Sequence, residues 1–185
     1  DEIALAAHAA LRKQFPDALL ILAPRHPERG AAIAALAGNA PRRSRFEPIG
    51  AAAVYVADTL GELGFFYDLA PVALVAGSLL PDLKGHNPIE PAKLDCAILS
   101  GPYVESFRDL FDALVNADAA TITADAAELI TAVSAFWRNA EARSAQTQAA
   151  RAIIDQGAAA MDATVAELTA LIGARASAEP AHASA

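Results

Sequence analysis

Pro24-Arg25-His26-Pro27-Glu28-Arg29 packs two guanidinium groups and an imidazole into six residues, directly behind the apolar run Ala18–Ala23. Guanidinium forks at the mouth of a helix whose first turn accommodates Pro27 make an anion site, since free helix N–H groups add to their charge. The alternative is a solvated cap paired with Glu28. Asp58-Thr59-Leu60-Gly61-Glu62-Leu63 and Asn87-Pro88-Ile89-Glu90 each set a capping residue three positions ahead of a glutamate. That spacing predicts capping boxes, with Thr59 or Asn87 as N-cap, Pro88 at N1, and Glu62 or Glu90 folding back. A helix start aimed at a ligand is also an anion-binding device, and a carboxylate there accepts hydrogen bonds from ribose hydroxyls. Both readings stay open on spacing alone.

Other residues carry less. Arg42, Arg43 and Arg45 form a second basic cluster, read as solvated loop arginines. Gly77-Ser78 and Gly85-His86 bracket the longest loop, where glycine lets backbone approach a ligand; His86 is a structural hydrogen-bonding residue or a general acid or base. Cys96 is expected as a small buried apolar group, and Phe136 and Trp137 as packing residues. His8 and His182 give no signal.

Composition excludes several classes. Asp and Glu total 22 against 14 Lys and Arg, and a net charge of −8 argues against nucleic-acid binding, which needs a cationic surplus. One cysteine allows neither an internal disulfide nor a cysteine-based zinc site; no metal and no cofactor is expected. The hydrophobic fraction is 55%, but 49 of those residues are alanine. No apolar run approaches the roughly 20 residues that span a bilayer. The patterns G-x-G-x-x-G, G-x-x-x-x-G-K-[ST], G-x-S-x-G and H-E-x-x-H are absent. The opening Asp1-Glu2, without an initiator methionine, reads as the start of a piece cut from a longer protein.

The elements that must position these loops follow from periodicity. A helix is expected over Asp1–Gln14, then a strand over Ala18–Ala23 whose continuous apolar character suits burial on both faces. Next come a helix at Pro27–Leu36, a strand at Ala53–Val56, a helix at Leu60–Leu69 and a strand at Val72–Ala76. A short helix at Pro88–Leu94, a strand at Ala97–Leu99, a helix at Val104–Val115 and a strand at Ala119–Ile122 complete the alternation. Beyond Asp125 the chain reads as helices at 125–138, 141–156 and 158–172, with a disordered tail at 174–185. Strand–helix alternation implies right-handed crossovers and a doubly wound α/β layer. Such a domain opens with a strand, so a strand ahead of Asp1 is expected. Ligands then sit beyond the carboxyl ends of the strands.

The blocks LLILAPRHPER (Leu19–Arg29), ADTLGELGFFYDLA (Ala57–Ala70), VAGSLLPDLKGHNPIEPAKL (Val75–Leu94) and SGPYVESF (Ser100–Phe107) resemble the carboxyl-terminal half of the 3-deoxy-D-manno-octulosonic acid (Kdo) transferases. The match runs over roughly residues 1–115, with the helical remainder alike in type only. The resemblance implies an α/β, Rossmann-like doubly wound parallel sheet, the carboxyl-terminal half of a GT-B glycosyltransferase. Residues 1–173 would form the nucleotide-sugar domain, lacking its first strand and including the helices 125–173. By the same resemblance CMP is held by Pro24 and Arg25, by Gly61, Glu62 and Leu63, and by Asn87, Pro88, Ile89 and Glu90. Arg25 and the helix start at Asn87 would face phosphate, and Glu90 would accept from ribose. The family's catalytic base belongs to the amino-terminal domain, so no residue here inherits that role. The implied partners are a CMP-Kdo donor and a lipid A precursor, at the cytoplasmic face of the Gram-negative inner membrane, with Kdo transferred with inversion. The chain departs from the family pattern at Ala76, Lys84, Tyr103 and Ser106, so no site residue is carried onto the loop after Leu99. Two alternatives stand beside this reading: a GT-B transferase for another nucleotide sugar, and a non-catalytic nucleotide-binding or interaction module.

Overall fold

The computed structural model describes residues 1–178. Five short strands alternate with helices: α1 (Glu2–Leu11), β1 (Leu20–Leu22), α2 (Gly30–Leu36), β2 (Val54–Val56), α3 (Leu63–Leu69), β3 (Val72–Val75), α4 (Ile89–Lys93), β4 (Ala97–Ser100), α5 (Arg108–Asn116), β5 (Thr121–Ile122), α6 (Ala126–Arg138) and α7 (Ala140–Ala178). All pairings are parallel, as helical crossovers require. The strands form two sheets, β1-β2 and β3-β4-β5.

Both faces of the larger sheet are covered, and alternate residues choose the face. Val75 and Ile98 pack with Ala92, Phe111, Leu114, Ala150 and Ile154 from α4, α5 and α7. Val72, Leu74 and Leu99 point the other way, against Ala7 and Leu11 of α1 and Leu129 and Val133 of α6. Each such apolar side chain contributes roughly 1.5–3 kcal/mol on full burial. The smaller sheet is packed by α2 through Ile33 and Ala34 and by α3 through Phe66.

One long side chain completes β4 where β5 is too short to do so. β5 begins opposite Leu99, leaving the Ile98 N–H beyond its reach. Gln146 of α7 takes the strand's place: its Oε1 accepts from Ile98 N at 2.9 Å and its Nε2 donates to Thr121 Oγ1 at 2.9 Å. A buried amide is thereby satisfied from both ends.

Several expectations are corrected. Strand forms only over Leu20–Leu22 within Ala18–Ala23, and all three residues are half-buried, because β1 is paired on one edge alone. The helix expected from Leu60 starts at Leu63, after Gly61 turns the chain at φ +80°. The helix expected from Pro27 starts as a 3-10 turn, Pro27–Arg29. The three terminal helices are two, because α7 runs through Gly157, where no neighbour forces a turn. It continues to Ala178 across the first residues of the expected tail; the rest of that tail, 179–185, lies outside the described residues. Cys96 is fully buried as expected, its thiol donating to the carbonyls of Tyr67 and Ala70, both at 2.9 Å. Trp137 packs edge-on against Phe15, with ring centroids 5.0 Å apart.

Candidate functional site

The loops that follow β1, β2, β3 and β4 all leave from the carboxyl edge of their strands, so the residues singled out by sequence share one end of the molecule. Two contacts bring them together there. The first lies within the β3 loop, near enough to Arg25 of the β1 loop for that charge to act on it. Gly77 adopts φ +79° and its missing Cβ leaves room for the His86 ring, whose atoms lie 2.8 Å from where that carbon would be. Burial lowers the His86 pKa and the neighbouring Arg25 charge lowers it further, so the imidazole stays neutral beside the guanidinium. Arg25 itself is exposed and Pro24 half-buried.

The second contact joins α3 to α4. Gly64 has no side chain, and Glu90 Oε1 lies 3.3 Å from where its Cβ would be. A carboxylate of α4 therefore rests on Gly64 in the first turn of α3. Gly61, Leu63, Asn87 and Glu90 are exposed, Ile89 is half-buried and Pro88 is buried.

The cap geometry differs from the expected capping boxes at both places. Asn87 Oδ1 accepts from Ile89 N at 2.9 Å, with Pro88 at the N-cap position, and Glu90 makes no bond back to the start of its helix. At α3 the N-cap is Glu62 itself, without a side-chain cap bond. Its carboxylate is taken instead by Arg43, whose Nη2 approaches Oε1 at 2.5 Å and whose Nε lies 3.0 Å from Oε2, and by the Thr59 hydroxyl at 2.5 Å. These donors hold the Glu62 carboxyl down to about 2, with Arg43 the larger cause and Thr59 the second. The reciprocal bonds of a capping box appear at α6: Asp125 Oδ1 accepts from Ala127 N and Glu128 N, and Glu128 Oε2 accepts from Ala124 N at 2.7 Å.

The basic cluster read as solvated is thus corrected for two of its members. Arg42 donates through Nε to Asp58 Oδ2 at 2.8 Å, and Ser44 donates to the same carboxylate from its amide at 2.9 Å and its hydroxyl at 2.8 Å. The Asp58 side chain is fully buried. Arg45 remains exposed, paired with Glu47. Spacing along the chain gives no sign of these pairs, since Arg43 and Glu62 lie 19 residues apart. Together they fasten the segment 42–45 across the outer edge of β2, where Pro41 O also accepts from Val56 N at 3.0 Å.

The β3 and β4 loops are knitted by Ser78. Its hydroxyl donates to Val75 O and accepts from Gly101 N, each at 2.7 Å, and Tyr103 N donates to Ser78 O at 3.0 Å. Gly85 N donates to Gly77 O at 2.9 Å, closing the longest loop on itself. A hollow of about 550 Å³ lies elsewhere, under α1 at the amino ends of the strands and lined by Leu5, His8, Arg12, Ala53 and Val54. Among the described residues no helix is long and apolar enough to cross a membrane.

An exposed arginine at a strand end, a neutral imidazole beside it, and two helix starts joined by a carboxylate form an open, hydrogen-bond-rich edge suited to a small anion bearing hydroxyls. Parallel strands with their faces covered by helices define the class, a Rossmann-like α/β domain of the kind that forms the carboxyl-terminal half of a GT-B glycosyltransferase. The C-terminal CMP-Kdo binding domain of WaaA from Acinetobacter baumannii superposes with a TM-score of 0.69 at 25% identity, covering 81% of this chain and 97% of that one. A 3-deoxy-D-manno-octulosonic acid transferase of Haemophilus influenzae is 37% identical over 151 residues, 77% of this chain and 35% of that protein. The Bordetella pertussis transferase is 36% identical over 155 residues, 80% and 36% respectively, and a probable mitochondrial one of Arabidopsis thaliana is 36% identical over 129 residues, 66% and 29%. No protein-family model matches the chain. The chain belongs to the 3-deoxy-D-manno-octulosonic acid transferase family, and it spans about a third of the length of these relatives.

Proposed function

We propose that this chain is the part of a Kdo transferase that holds CMP-Kdo, in an enzyme that moves Kdo to a lipid A precursor hydroxyl with inversion. The observation that supports the reading is the nearness of the Arg25 charge to His86, one residue ahead of the Asn87–Ile89 helix entry. In this reading Arg25 and that entry hold the phosphate, Pro24 lines it, and Glu90 accepts from the ribose beside Gly61, Glu62 and Leu63. A departing CMP gains anionic charge, which fixed guanidinium and N–H donors stabilise. The catalytic base and the lipid A precursor belong to an amino-terminal domain, working at the cytoplasmic face of the inner membrane. A thermal-shift panel of CMP, UMP, UDP, ADP and inorganic phosphate tests the donor. CMP at about 100 times its Kd stabilises a binding-competent domain by about 2.7 kcal/mol. A gain from CMP no larger than from inorganic phosphate overturns the assignment, and a preference for UDP or ADP selects another nucleotide sugar.

A further inference from the structure

We propose that Arg43 is a positioning residue: acting through Glu62, it fixes the backbone that Gly61, Glu62 and Leu63 present at the carboxyl edge of the strands. Only the identity of what this backbone binds rests on the nucleotide reading.

The loop between β2 and α3 has little backbone support of its own. Ala57 N donates to Leu22 O at 2.8 Å; after it, the next amide bonded to a backbone carbonyl among the described residues is Phe66 N, on Glu62 O at 3.4 Å. Gly61 turns the chain at φ +80° with open space where a Cβ would stand, and Leu60 is exposed. Backbone bonding therefore selects no single shape for residues 59–62, and side chains must do so. Two carboxylates bracket the loop. Asp58 at its start is buried and held by Arg42 and Ser44. Glu62 at its end is held by Arg43 and Thr59.

Arg43 is the anchored side of its pair. The amides on either side of it are pinned, Arg42 N to Glu47 Oε2 and Ser44 N to Asp58 Oδ1, each at 2.9 Å, and Pro41 O accepts from Val56 N of β2. From this support the guanidinium meets Glu62 at two points, Nη2 on Oε1 and Nε on Oε2, and such a fork fixes direction as well as distance. The Thr59 hydroxyl donates to the same carboxylate from across the loop. Glu62 thus ties together both ends of the turn and the segment 42–45. It gives α3 no side-chain cap bond, so its carboxylate supports the loop and not the helix. The carboxylate is spent on these donors, whereas the backbone amides of residues 61–63 have no backbone partner among the described residues. What this stretch keeps for a ligand is its main chain, in a shape set from 19 residues away.

NMR relaxation without ligand, and calorimetric titration with CMP and with cytidine, test this on Arg43→Ala, Arg43→Lys, Glu62→Ala and the Arg43→Ala/Glu62→Ala pair. In the wild type the Gly61 and Glu62 amides have order parameters of about 0.85, and in every variant these fall toward about 0.6 while those of β2 stay unchanged. A loop competent a tenth of the time binds about tenfold more weakly, so CMP and cytidine lose affinity alike, by roughly that factor. Arg43→Lys keeps the charge and still loses, because an ammonium cannot reproduce the fork. The double variant binds no worse than Glu62→Ala alone, since Arg43 acts only through that carboxylate. A further loss in the double variant, or a loss for CMP and none for cytidine, makes Arg43 a direct phosphate ligand and overturns the proposal. Unchanged order parameters at Gly61 and Glu62 in the folded variants overturn it as well. A wild type that ignores CMP while these amides loosen as expected overturns the nucleotide reading alone.

Discussion

A Cβ on Gly30 would lie 2.2 Å from Asp58 Oδ2. The first residue of α2 thus closes directly on the buried carboxylate that Arg42 and Ser44 hold from the other side. Gly30→Ala should destabilise the protein by about 1–3 kcal/mol, the cost of overpacking, although helix propensity alone favours alanine by about 1 kcal/mol. Urea unfolding decides the sign, and a stabilised variant contradicts the packing.

Asp58 and Glu62 give the acid limb of stability a definite shape. Burial pushes the Asp58 carboxyl up, but the Ser44 amide and hydroxyl and the Arg42 guanidinium outweigh it and hold the group below its ordinary value. A lowered folded pKa stabilises above the unfolded value and loses that contribution as pH falls through the folded one. For Glu62 the window runs from 4.5 down to about 2. Melting temperatures from pH 7 to pH 2 should fall less steeply in Asp58→Asn and in Glu62→Gln. In 1 M salt the Glu62 difference should shrink and the Asp58 difference persist, because the Glu62–Arg43 side chains are 31% and 39% exposed and the Asp58 side chain not at all. Asp58→Ala, which strands Arg42, should cost roughly 3 kcal/mol.

Arg25 is exposed, so its removal tests binding with little effect on folding. Arg25→Ala is expected to change stability by under about 0.5 kcal/mol and to weaken CMP by about 1.5–3 kcal/mol, the worth of a charge-assisted hydrogen bond. Calorimetric titration and a melting curve on the same sample separate the two. A variant that melts early yet binds CMP normally makes Arg25 a structural residue.

Glu90→Gln separates ribose binding from helix support. With Glu90 on ribose, CMP affinity falls by on the order of 1 kcal/mol or more, while 2′,3′-dideoxy-CMP binds both proteins alike. Equal losses for both nucleotides, or none, remove Glu90 from the ribose.

The order of strands and helices was legible because apolar periodicity changes at each boundary, and the chemistry-bearing loops because their residues are contiguous. Thr59-x-x-Glu62 forms no capping box for a local reason: a hydroxyl and a carboxylate three apart can bond each other, and here Arg43 fixes the carboxylate away from the helix amides. Arg43 and Arg42 were invisible as partners because their carboxylates arrive from β2 through the fold. Gly157, between the helices expected at 141–156 and 158–172, does not break α7, since glycine permits a turn without requiring one, and the alanines around it favour helix.

Cys96 turns its surroundings into a clock. Burial, with Asp95 and Asp68 adding to it, pushes its thiol up to about 12, so almost no thiolate exists at neutral pH. Its Sγ is also committed to two carbonyls on the α3 side. An alkylating reagent can reach this sulfur only when α3 and β4 separate, and the labelling rate of one atom then counts how often the domain opens.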